Sequence, residues 1–192
     1  MLKNRIYLSL AATALSLLFA ASAGAAEEQK DQDTYDQDSV IKDATAFFGK
    51  GTEGLAKVIE KAFKDHGRPN GYIKGEEASG AIVVGLRYGD GTLTLKNKGS
   101  RKVHWQGPSI GFDVGGNASK VFVLVYNLQD MDDIFQRFPA VDGSFYYVAG
   151  AGINYQQSEK IILAPIRLGV GLRLGVNIGY MHYTRTKSWN PL

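Results

Sequence analysis

Ile166-Arg167-Leu168-Gly169-Val170-Gly171-Leu172-Arg173-Leu174-Gly175-Val176-Asn177-Ile178-Gly179-Tyr180 carries a large apolar side chain at every even position. Its odd positions are four glycines broken by Arg167, Arg173 and Asn177, with Gly179 closing the row. A period of two is the signature of a strand with one buried face. The apolar run extends back to Ile161 and on to Thr184, and at roughly 3.3 Å per residue such a length outruns a small domain, so a sharp bend or tight turn must divide it. Alternate glycines permit that bend and let another element approach closely.

Working back towards the N-terminus, the same grammar repeats. Val103 to Gln106, Ser109 to Val114, Lys120 to Asn127 and Phe145 to Tyr155 read as further strands. Ile82-Val83-Val84 and Leu86 lead into Tyr88-Gly89-Asp90-Gly91 and then Thr92-Leu93-Thr94-Leu95, where Asp-Gly between apolar runs predicts a hairpin turn. A short helix is expected near 131–138, stopped by Pro139, with Asp130, Asp132 and Asp133 at its favourable N-terminal end. The fold class that follows is mainly β, an antiparallel barrel or sandwich, of which a small antiparallel β-barrel of about eight to ten strands spanning 70–192 is preferred.

Residues 39–67 differ. Val40, Ala44, Phe47, Leu55, Val58, Ile59, Ala62 and Phe63 recur at spacings of three and four, which predicts an N-terminal amphipathic helical segment. Gly49, Gly51 and Gly54 cost about 1 kcal/mol each inside a helix, so a break there into two helices is expected. Before it, residues 26–38 carry six acids against Lys30, with Tyr35 as the single aromatic, and are expected to form a disordered acidic leader.

The first 25 residues have the three parts of a secretory signal peptide: Lys3 and Arg5, an uncharged apolar run from Ile6 to Phe19, and small residues through Ala23-Gly24-Ala25. The apolar run is shorter than the roughly 20 residues a spanning helix needs, and cleavage is expected after Ala25, with Ala23 the alternative. With no cysteine anywhere, lipoprotein anchoring, disulfides and thiol chemistry are excluded. Removing Lys3 and Arg5 takes the 22 basic and 19 acidic residues to 20 and 19, a nearly neutral mature chain with nothing to draw nucleic acid. The remainder, 39–192, is read as a single periplasmic domain, soluble and without a transmembrane segment after cleavage.

Two literal motifs fail on context. Gly107-Pro108-Ser109-Ile110-Gly111 spells the serine-hydrolase elbow, but a strand, Phe112-Asp113-Val114, follows where a helix is required. Gly49-Lys50-Gly51-Thr52-Glu53-Gly54 spells a dinucleotide fingerprint with no strand before it. His66, His104 and His182 have no metal-ligand spacing, and no cofactor or metal is expected. Asp113, Asp130 and Asp142 offer carboxylates without a fixed separation, and Asp142-Gly143 reads as a turn. The one candidate site is the glycine-rich face bearing Arg167, Arg173 and Asn177, where guanidinium groups can fork onto phosphate or carboxylate beside an apolar interior fit for an acyl chain.

The stretches Gly107-Pro108-Ser109-Ile110-Gly111-Phe112-Asp113-Val114-Gly115-Gly116-Asn117-Ala118, Val121-Phe122-Val123-Leu124-Val125-Tyr126-Asn127 and Ile162 to Gly175, with Trp189-Asn190-Pro191 at the end, resemble the EipA family of small exported envelope integrity proteins. The resemblance covers nearly all of the mature chain. It implies a periplasmic antiparallel β-barrel with an N-terminal helical portion, tied to maintenance of the envelope under stress, with no catalytic residues to carry over. More distantly, the glycine-rich strand and Ala149-Gly150-Ala151-Gly152 are similar to the SYLF lipid-binding domain. The expected function is therefore non-enzymatic support of the envelope by binding a lipid, a glycan precursor or an envelope protein. The alternative is a cell-wall or lipid-modifying hydrolase using Asp113, His104 or Ser109. A third reading, an outer-membrane barrel, is opposed by the helical segment and by strands shorter than the 9–11 residues that cross a bilayer.

Overall fold

In the computed structural model, residues 33–49, 51–113, 119–169 and 179–188 are described. The expected signal peptide and most of the acidic leader lie outside them. The leader's last residues do not match the expectation. Tyr35 donates its backbone N–H to Pro69 O (2.8 Å) and packs its ring 5.2 Å from that of Tyr72. Asp36 caps the first helix by accepting from Ser39 N (2.9 Å), so order begins before residue 38 because an aromatic anchor and a cap precede the helix.

Helix α1 (Gln37–Phe48) ends at Gly49, whose φ of 77° is a left-handed C-cap that a glycine adopts without strain. Helix α2 (Glu53–His66) starts again at Thr52, whose hydroxyl accepts from Leu55 N at 3.0 Å. Its buried face, Leu55, Val58, Ile59 and Ala62, has the helical spacing that points one stripe at the sheet.

Nine strands follow among the described residues: β1 (Gly71–Leu95), β2 (Gly99–Asp113), β3 (Ser119–Tyr126), β4 (Arg137–Pro139), β5 (Tyr146–Val148), β6 (Ala151–Ile153), β7 (Gln156–Ser158), β8 (Ile161–Leu168) and β9 (Tyr180–Thr184). They form one antiparallel sheet in the order β4-β9-β2-β1-β3-β8-β6-β5, with β7 also on β8. Strands β6 and β7 keep one register along β8, Ile153 opposite Ile166 and Gln156 opposite Leu163. Between them lies Pro165, which has no N–H to give, and the ladder breaks there. The sheet curls until Ala140, just beyond β4, bridges to Gln156 of β7. Val141 N to Tyr155 O (2.9 Å) and Ser158 Oγ to Gln136 Oε1 (2.7 Å) hold the same seam.

Two expectations are corrected. Asp90-Gly91 is not a turn: it sits inside β1, with Asp90 opposite His104 and Gly91 opposite Val103, and the reversal falls at 96–98, where Asn97 has φ 62° and Gly99 φ 88°. What needs a glycine at 91 is a close approach. Twenty-five residues of straight strand would run roughly 80 Å, so β1 doubles back, and Lys96 N bonds to Asn70 O at 3.0 Å. Gly75 then lies against Gly91; a Cβ on Gly75 would stand 2.4 Å from Asp90 O and 2.9 Å from Gly91 Cα. The helix expected near 131–138 is a single 3₁₀ turn, Met131–Ile134, capped by Asp130 accepting from Asp132 N (2.8 Å), after which 137–139 is strand. Pairing of β4 with β9 outweighs the helical start.

The long run 161–184 is divided, as its length requires. Strand β8 ends before Gly169 (φ 130°), β9 begins after Gly179 (φ 123°), and 170–178 lie outside the described residues. Inside the barrel pack Ile73, Leu93, Val103, Trp105, Val121, Val123, Val125, Leu163, Phe138, Met181 and Tyr183. Outside, Phe122, Leu124, Tyr126, Ala164 and Ile166 meet the apolar stripes of α1 and α2. Strands β3 and β8 are thus buried on both faces, and the even apolar residues of β8 face the helices rather than the lumen.

Replacing Gly75 by Ala is expected to destabilise the fold by about 3 kcal/mol, since backbone rather than a movable side chain blocks the new methyl. Denaturant titration checks this; a loss below 0.5 kcal/mol by that measurement would show the crossing to be loose.

Candidate functional site

The inner face of β1 runs Ile73, Gly75, Glu77, so the alternation that buries Ile73 also buries Glu77, whose side chain is 5 % exposed. The same strand, after doubling back, supplies Arg87, and the inner face of β8 supplies Arg167. Arg167 grips Glu77 bidentately: Nε donates to Oε1, and Nη2 donates to Oε2 at 3.1 Å. Its third nitrogen, Nη1, donates to Asn154 Oδ1 at 3.1 Å. Arg87 Nε stands 3.7 Å from Glu77 Oε1, and Trp105 Nε1 lies 3.4 Å from Oε2. The Trp105 ring lies over Gly89 and reaches Gly75, where any Cβ would overlap it.

Burial pushes the Glu77 carboxyl up, but the guanidinium groups of Arg167 and then Arg87 outweigh it and hold the group at about 2. Glu77 is therefore an anion at any physiological pH and a feeble base. Burial likewise raises the nearby Tyr183 hydroxyl, keeping it protonated. Such a cluster stabilises the fold little relative to an apolar core, yet removing one partner strands the others in low dielectric.

A cavity of about 260 Å³ opens beside Glu77, lined by Glu76, Tyr88, Asp90, His104, Trp105 and Lys187 among others. Asp90 and His104 face each other across β1 and β2. His104 Nδ1 is buried with no partner.

Of the residues singled out in the sequence, Arg167 is inside the barrel and does fork onto a carboxylate, that of Glu77. Arg173 and Asn177 lie outside the described residues, as do the side chains of Ser109 and Asp113. The histidines are not gathered: His66 packs on Tyr155 (4.4 Å between rings) at the end of α2, while His104 and His182 stand two positions out of register on β2 and β9. Among the described residues no group of His, Asp and Glu is placed to hold a metal. Asp132 pairs with Arg101 and Arg185 in an exposed network. Glu77 and Arg87 were not singled out; Glu76-Glu77 reads as a solvated pair of acids, and only the shared parity of Ile73 and Glu77 marks one of them as inward.

Among the described residues, a barrel-like antiparallel sheet with two helices packed on its outer face and an ionised clasp within it defines the class of protein. The chain belongs to the envelope integrity protein A family, whose profile matches residues 33–192. In the solved structures it is similar to a β-barrel-like, uncharacterised protein from Brucella abortus, with 50 % identity over 83 % of this chain and 99 % of that one and a TM-score of 0.76. None of the curated proteins matches. The family name ties the chain to the integrity of the cell envelope. No helix among the described residues is long and apolar enough to cross a membrane.

Glu77→Gln is expected to cost about 3–5 kcal/mol by removing the buried carboxylate that Arg167 grips with two nitrogens. Because the folded value of about 2 lies below the ordinary 4.5, the carboxylate's contribution is complete above about pH 4.5 and is lost between there and pH 2. Unfolding free energy measured from pH 5 to 2 therefore falls less steeply in the variant; parallel slopes would mean that Glu77 is not ionised in the native barrel.

Proposed function

We propose that this chain is a periplasmic, non-enzymatic binding protein that supports envelope integrity by holding a lipid, a glycan precursor or an envelope protein. The observation that carries the reading is the 260 Å³ cavity beside Glu77. Its walls pair aromatic surface from Tyr88 and Trp105 with the charged groups of Glu76, Asp90 and Lys187, a mixture suited to grip a polar headgroup. Glu77, held near 2, presents the cavity with a fixed negative charge at neutral pH. Arg173 and Asn177 are proposed as further ligand contacts, with Arg167 positioned by its grip on Glu77.

Native mass spectrometry of protein released gently from the periplasm is expected to show a ligand-bearing species, or binding on titration with envelope lipids and wall fragments. A clean apo mass that no titrant changes would sink the proposal.

The hydrolase reading keeps one observation in its favour, the unpartnered Nδ1 of His104 in the cavity wall opposite Asp90. Alanine variants of Ser109 and Asp113 that fold normally are expected to rescue an envelope-stressed deletion strain; loss of rescue in either would restore the enzyme reading.

A further inference from the structure

We infer that the barrel interior binds an oxyanion group, phosphate or carboxylate, between the side-chain amides of Asn154 and Gln156 beside Arg167. This goes beyond the cavity of the preceding proposal: that cavity opens at Glu76, Asp90 and His104, and neither amide lines it.

Asn154 and Gln156 flank the break that Pro165 makes in the ladder, and both turn inward. Asn154 meets Arg167, and Gln156 stands opposite Leu163, an interior residue. Their exposures are 8 % and 1 %. Yet Asn154 Nδ2 has no hydrogen-bond partner, and neither Gln156 Nε2 nor Gln156 Oε1 has one. A buried polar atom left unpaired costs about 1–3 kcal/mol, and native barrels rarely carry three such atoms on two neighbouring side chains without a guest to receive them.

The setting selects the guest. Asn154 Oδ1 is occupied by Arg167 Nη1, which fixes the flip of that amide and leaves Nδ2, a donor, facing onward. Gln156 offers Nε2 as a second donor. Two residues apart on one face, the amides are about 7 Å apart at the backbone, a span that hydrogen bonds of about 2.9 Å to neighbouring oxygens of one oxyanion bridge. Positive charge stands at the edge of the site in Arg167, the cation that holds the Asn154 amide. Of the five N–H groups of a guanidinium, Arg167 spends three on Glu77 and Asn154. Gln156 Oε1 accepts the proton of a singly protonated phosphate or an accompanying water.

The test uses the full mature protein with ¹⁵N labelling and two probes, inorganic phosphate and dodecyl phosphate, at matched ionic strength against chloride. The side-chain NH₂ resonances of Asn154 and Gln156, assigned by their disappearance in Asn154→Leu and Gln156→Met, are expected to shift together and saturably. Gln156→Met, close to isosteric, is expected to weaken phosphate binding about tenfold while leaving the anion-free protein as stable as before. Equal affinity for the two probes identifies a free anion, and much tighter binding of dodecyl phosphate identifies a lipid headgroup; both support the site. Resonances that neither probe moves, or a binding curve unchanged by Gln156→Met, overturn it and leave only trapped water. Should either variant fail to fold, the wild-type chain decides: melting that phosphate does not raise over chloride counts against the site. The Asn154 and Gln156 NH₂ resonances and the effect of Gln156→Met report on the amides themselves, neither of which lines the cavity, so failure here and failure of the binding proposal are separable.

Discussion

A carboxylate enclosed in a barrel lumen stays charged only if cations are enclosed with it, and that requirement organises this fold. Glu77 comes from the first half of β1, Arg87 from the same strand after it doubles back, and Arg167 from β8 across β3. The clasp forms only when β1 is folded on itself and β8 is in its present register, because a slip of one residue would turn Arg167 outward under the helices. Apolar packing alone would tolerate several registers of such Val- and Leu-rich strands. A bidentate contact does not.

The doubling of β1 has its own condition, which is that nothing larger than hydrogen stand at the crossing. Gly75 and Gly91 meet there, and Gly89 gives its space to the Trp105 indole, which reaches to Glu77. The glycines and the charged cluster are thus one device: the small residues let the backbones close until the indole and the guanidinium groups converge on one carboxylate. The helices complete it from outside, since α2 lays Leu55, Val58, Ile59 and Ala62 over the same strands that carry Arg167 inward.

This also explains which features could be read from the sequence. Period-two patterns, turn-rich spacing and the glycine break between Phe48 and Glu53 follow from local chemistry, and they yield an antiparallel barrel with a helical N-terminal portion. The direction of a face does not follow. Ile166 and Leu168 look like lumen residues beside a polar Arg167, but two helices bury the outside of β8, so the inward position was free to be charged. Asp90-Gly91 failed for a related reason: a glycine that admits a close crossing and a glycine that makes a turn are the same letter, and only the long-range contact of Gly75 tells them apart. At 131–138 the acids and Pro139 give a fair helix start and stop, while the pairing of Phe138 with Met181 is a tertiary fact with no local mark.

The two sides of the barrel consequently face different demands. On β3 and β8 both faces are consumed by packing, lumen within and helices without, which leaves those strands to act as scaffold. On β1 and β2 the region around Tyr88, Asp90, His104 and Trp105 carries a cavity instead. Glu77 belongs to both, as an ion of the clasp and as part of the cavity lining, so a ligand there would sit against the residue that fixes the register of the fold.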